Sequence, residues 1–128
     1  MMKILAVDDE EDTLLLLKDL LTQAGHQVVT ASEGLKAMAT AQMEPFDAVL
    51  LDLMMPGTDG YQVARFLSDN WNTSSIPVVV ITCRRDEESK SFAKVFGCVR
   101  YLEKPFEPEE LLEVLRDIDS GHREEVPV

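Results

Sequence analysis

Short apolar runs recur along this chain, and each is followed by a segment of helical length and helical spacing. The runs are Ile4-Leu5-Ala6-Val7, Ala48-Val49-Leu50-Leu51, Val78-Val79-Val80-Ile81 and Val99 to Leu102, with Val28-Val29 at the centre of a fifth. Strands that alternate with helices are joined by right-handed crossovers, which makes a parallel sheet covered on both faces. The pattern predicts strands over residues 3–8, 26–31, 47–52, 77–82 and 98–103. It predicts helices over about 11–24, 33–43, 60–70, 86–96 and 108–119. The unbroken β-branched run before Thr82 is typical of a strand buried on both faces.

Local signals set the boundaries. Gly25 and Gly97 stand where helices should stop. Ser32 is placed to cap the second helix, and Pro45 breaks the chain before strand 3. Met55 to Gly60 form a turn cluster, and Asn72 to Ser75 a polar loop. In the first helix Leu14, Leu17 and Leu21 recur at helical spacing, as do Leu16, Leu20 and Ala24. Phe92, Val95 and Phe96 fall on one side of the fourth helix, and Leu111, Leu112, Leu115 and Ile118 on the inner side of the fifth.

Five residues sit at the ends of these strands: Asp8, Asp9, Asp52, Thr82 and Lys104. In a parallel sheet those ends share one rim, where open α/β sheets bind their ligands. Three carboxylates brought together without compensation are costly, so they call for a cation. Magnesium suits them, because it takes oxygen ligands from one or two carboxylates, waters and phosphates. Lys104 and Thr82 offer an ammonium and a hydroxyl to phosphoryl oxygens, and a carboxylate in such a site can become the nucleophile. Singly, each position has an ordinary explanation: a turn or cap for the aspartates, a strand residue for Thr82, a solvated lysine for Lys104. The set, in this order at these ends, is far more specific.

Composition narrows the rest. A chain of 128 residues makes one domain, expected over 1–120, with a short polar tail over 121–128. The net charge of −12 opposes direct nucleic-acid binding, and Arg84-Arg85 is the largest basic cluster. No apolar run approaches the ~18 residues of a membrane span, and the start lacks a signal-peptide pattern, so the expected location is the cytoplasm. Cys83 and Cys98 have no metal-ligand spacing and are expected to be reduced and buried.

The chain resembles the response-regulator receiver domains of bacterial two-component signalling, over nearly its whole length. The resemblance is carried by Val7-Asp8-Asp9-Glu10, the stretch from Asp52 through Pro56, Gly57 and Asp59 to Gly60, Ile81-Thr82 and Lys104-Pro105-Phe106. It implies a flavodoxin-like doubly wound (βα)5 fold with five parallel strands in the order 2-1-3-4-5. It makes Asp52 the phosphorylated residue. Asp9, Asp52 and the backbone carbonyl of Met54 then ligate Mg2+, for which Mn2+ is expected to substitute, and Asp8 acts through a metal-bound water. Lys104 and Thr82 stabilise the phosphoryl group, Thr82 and Tyr101 form the switch, and the Lys104-Pro105 peptide is cis. Met54 and Arg84 flank the path of attacking water. Because Met54 cannot orient a water by hydrogen bonding, a long-lived acyl phosphate is expected.

The partners implied are a sensor histidine kinase or phosphotransfer protein as donor, and an unspecified downstream protein on the face of helix 4, strand 5 and helix 5. A phosphorylation-dependent dimer is compatible with that face, whereas direct nucleic-acid and membrane contact are not expected. The short stretch beyond Ser120 favours stand-alone action over a fragment of a larger regulator or hybrid kinase. Catalysis is expected only on itself. Three alternatives carry less weight. A magnesium-dependent phosphatase with an aspartyl-phosphate intermediate usually presents a second acid two residues after the nucleophile, where this chain has Met54. A flavodoxin-like cofactor binder wants a Ser/Thr/Gly-rich loop after strand 1, where this chain has Asp8-Asp9-Glu10-Glu11-Asp12. A receiver that dimerises without phosphate would not need so complete a site.

Overall fold

A computed structural model describes residues 1–55, 60–83 and 87–121 of the chain. Five strands and five helices alternate: β1 (Lys3–Val7), α1 (Glu11–Gln23), β2 (Gln27–Ala31), α2 (Gly34–Met43), β3 (Ala48–Leu51), α3 (Gly60–Asp69), β4 (Val78–Thr82), α4 (Glu87–Val95), β5 (Cys98–Glu103) and α5 (Pro108–Asp119). All pairings are parallel, and the sheet order is β2-β1-β3-β4-β5. This is the parallel sheet that the alternation predicts, in the flavodoxin-like doubly wound order that the resemblance implies.

The period of two along the strands divides the core into two halves. Leu5, Val7, Val49, Leu51 and Val80 face the side covered by α2, α3 and α4, through Ala37, Ala41, Val63, Leu67 and Ala93. Ile4, Ala6, Leu50, Val79 and Ile81 face the side covered by α1 and α5, through Leu14, Leu17, Leu21, Leu111 and Leu115. β3 and β4 are buried at every position, as strands covered on both faces must be.

Several local expectations are corrected. Glu33, not Ser32, holds the N-cap of α2, and it makes no side-chain capping bond. α5 instead carries a reciprocal capping box between Glu107 and Glu110, with a proline at its start. Leu16 in α1 is exposed, since Leu14, Leu17 and Leu21 already fill the inner stripe. Val95 of α4 is exposed too, because Ser89 and Ala93 are its buried residues. Cys98 is buried as expected, with its thiol pushed up to about 12 by burial. Cys83 is exposed, because it lies just past the end of β4.

Candidate functional site

The sheet ladder brings the strand ends together. The Asp52 N–H donates to the Val7 carbonyl at 3.0 Å, so the residue after β3 is held beside the end of β1. The Lys104 N–H donates to the Thr82 carbonyl at 2.9 Å, which ties the residue after β5 to the end of β4. The Lys104-Pro105 peptide is cis. β1 and β3 meet where the strand order reverses, the position at which such sheets leave a crevice.

Asp8 and Asp52 are almost wholly buried, at 2% and 4% exposure. Each carboxylate is oriented by a main-chain donor two residues ahead: Asp8 Oδ1 accepts from Glu10 N–H at 3.0 Å, and Asp52 Oδ1 from Met54 N–H at 2.9 Å. The outer oxygens converge on one ammonium. Lys104 Nζ lies 2.7 Å from Asp8 Oδ2 and 3.0 Å from Asp52 Oδ2, with Glu10 Oε1 at 3.6 Å. Charge-assisted bonds of this length are the strong ones.

One ammonium does not balance three carboxylates. Burial pushes the Asp8 carboxyl up from the usual range; the bonds to Lys104 and Glu10 N–H pull it back, and the nearby Asp52 charge adds to the rise. Burial alone would lower Lys104, but its hydrogen bonds to Asp8 and Asp52 outweigh that and keep it protonated. Carboxylate oxygens of Asp8, Glu10 and Asp52 lie within 4.8 Å of one another, close enough to share an ion. An excess of hard oxygen donors fits a divalent cation of the magnesium class.

Asp9 is exposed and is not part of that three-carboxylate group, whereas Glu10, which the sequence did not single out, is. The only signal for Glu10 was its place directly after the aspartate pair. Thr82 is fully buried at the end of β4. Tyr101 is half-buried on β5 and lies beneath Lys90 of α4, whose Nζ is 6.0 Å from the ring centroid. Met54 is 48% exposed at the mouth of the site. Arg84 and the turn residues 56–59 lie outside the described residues.

The sequence profile of the response regulator receiver domain matches residues 4–116. Protein PilH of Pseudomonas aeruginosa is 38% identical over 121 residues, which cover 94% of this chain and 100% of that protein. The chain spans about half the length of the transcriptional regulators it also matches. The Vibrio cholerae chemotaxis protein CheY4 superposes with a TM-score of 0.87 at 33% identity, over 92% of this chain and 98% of that one. The receiver domain of a sensor histidine kinase from Pseudomonas aeruginosa superposes at 0.84 with 28% identity, again over 92% and 98%. That structure has a magnesium ion coordinated in its active-site cleft.

Proposed function

The chain belongs to the response-regulator receiver family and is a phosphoryl-accepting switch of two-component signalling, and from that premise we propose that Asp52 is its acceptor. One observation carries the assignment. Among the described residues, Asp52 is the buried carboxylate at the end of β3, the middle strand of the five, where its own loop orients it and Lys104 pairs with it.

In this reading an Asp52 carboxylate oxygen attacks the phosphorus of a phosphohistidine on a sensor kinase or phosphotransfer protein. The P–O bond forms as the P–N bond breaks, and the electron pair leaves on the imidazole nitrogen, which takes up a proton. Lys104 moves its charge from the carboxylate to a phosphoryl oxygen, and the Thr82 hydroxyl donates to another. When bound, Mg2+, or Mn2+ in its place, would supply charge to offset the developing anion. Asp9, Asp52 and the carbonyl of Met54 would ligate it, with Asp8 acting through a bound water. The fit rests on the carboxylates of Asp8, Glu10 and Asp52, which crowd within 4.8 Å of one another, with exposed Asp9 next to them in the chain.

Thr82 and Tyr101 then bias a two-state equilibrium of the α4–β5–α5 face, which contacts a downstream protein or a second phosphorylated copy. Residues 1–120 act as one receiver unit in the cytoplasm. The unit turns over nothing beyond its own phosphorylation and dephosphorylation, and touches neither nucleic acid nor membrane. Among the described residues no helix is long and apolar enough to cross a membrane.

Borohydride reduction tests the acceptor. It converts an aspartyl phosphate to homoserine, which peptide mapping then locates. Homoserine at position 52 is the expected result, and homoserine at 8 or 9 instead would overturn the assignment.

A further inference from the structure

A seam between α3 and α4 takes no part in the chemistry above. It begins against the acceptor's own backbone. Gly60, the first residue of α3, donates its N–H to the Leu53 carbonyl at 3.2 Å. A Cβ at Gly60 would run into the Asp52 carbonyl oxygen and the Leu53 Cα, so α3 starts in direct contact with the acceptor peptide. The next residue turns away towards α4. The Tyr61 hydroxyl lies 2.7 Å from Ser89 Oγ, and Ser89 is fully buried. The Tyr61 ring meets Phe92 edge-on at 4.5 Å between centroids, and Phe92 meets Phe96 at the same separation with the rings tilted by 39°. Arg65, one turn further along α3, places its guanidinium 5.5 Å from the Phe96 ring.

The other side of α4 is held by β5. Lys90, adjacent to Ser89, lies over the Tyr101 ring and pairs with Glu103 at 3.6 Å. Successive residues of α4 therefore touch the helix that rests on the acceptor loop and the strand that carries Tyr101.

We propose that the Tyr61 hydroxyl is a positioning group that ties α4 to the Asp52 loop through Ser89, forming a second route from acceptor to output face beside Thr82 and Tyr101. This rests on the assignment of Asp52 as acceptor. A hydrogen bond whose only role was to satisfy buried Ser89 would affect stability alone. A bond that couples two sites must also change how tightly the phosphoryl site binds, because linkage is reciprocal.

The test uses the full chain as wild type, Tyr61→Phe, Ser89→Ala and the double variant. Each is titrated with beryllium fluoride in magnesium, and amide exchange of α4 is followed. Wild type should bind, with a change in α4 exchange. Tyr61→Phe keeps the ring and its packing, and should move the titration midpoint by about fivefold, the scale of one net hydrogen bond. Ser89→Ala should do the same, and the double variant less than the sum of the two singles, since the Tyr61–Ser89 bond is lost in all three. Variants that titrate like wild type with the same α4 response, or effects that add in the double, would overturn the coupling and leave Asp52 untouched. A wild type that fails to bind would overturn both.

Discussion

At Asp8 two demands oppose each other: burial pushes its carboxyl up, while Lys104 holds the charged form. A folded-state value above the unfolded one means the folded protein holds the proton more tightly, so ionised Asp8 costs stability above that range. Asp8→Asn removes the charge and keeps the shape. In metal-free buffer at neutral pH, the urea midpoint of that variant should lie above wild type. Magnesium should narrow or reverse the gap, because wild type gains more from a bound cation. A wild type more stable in the absence of metal would contradict the electrostatic account. Met54 makes a different point. Its half-exposed side chain cannot hold a water, so Met54→Asn should speed loss of the phosphoryl group by about five- to tenfold, the scale of one oriented hydrogen bond. An unchanged or slower decay would sink that role. The aspartates, Thr82 and Lys104 were visible in the sequence because each stands at or just past the end of a strand-like run. Glu10 was not, because where its carboxylate reaches depends on the backbone after β1, which no periodicity encodes.

Among the elements, α3 has a tightly constrained start, since Gly60 rests directly on the Asp52-Leu53 backbone. Gly60→Ala should cost about 1–3 kcal/mol through overpacking, measured by urea unfolding. A cost near zero would mean that the α3 start has room to shift. The helices show where periodicity reads well and where it misleads. In α1 two apolar stripes appear in the sequence, but only one is the inner stripe; Leu15 and Leu16 stay in solvent because the core behind Leu14, Leu17 and Leu21 is already filled. In α4 the inner face belongs to small Ser89 and Ala93, with Phe92 and Phe96 at its flank, so an apolar count pointed to Val95 wrongly. Ser32 looked like a cap, yet α2 begins two residues later and its N-cap Glu33 makes no side-chain bond, so chain direction at the end of β2 outweighed cap chemistry.

For the molecule as a whole, the order β2-β1-β3-β4-β5 sets the chemistry. It lays the ends of β1, β3, β4 and β5 along one rim, and so turns four separated sequence motifs into one charged site. That much was legible because alternation, strand-end polarity and motif order agree with one another. The α3–α4 seam was not, since the Tyr61–Ser89 bond joins residues 28 positions apart on helices with no shared pattern. In the proposed function this rim accepts a phosphoryl group on Asp52 with help from a divalent cation. The most direct measurement is the intact mass of wild type and Asp52→Ala after incubation with acetyl phosphate, with and without magnesium. One added phosphoryl group on wild type in magnesium, absent without the metal and absent from the variant, is the predicted result. An adduct of the same mass on Asp52→Ala would contradict the account.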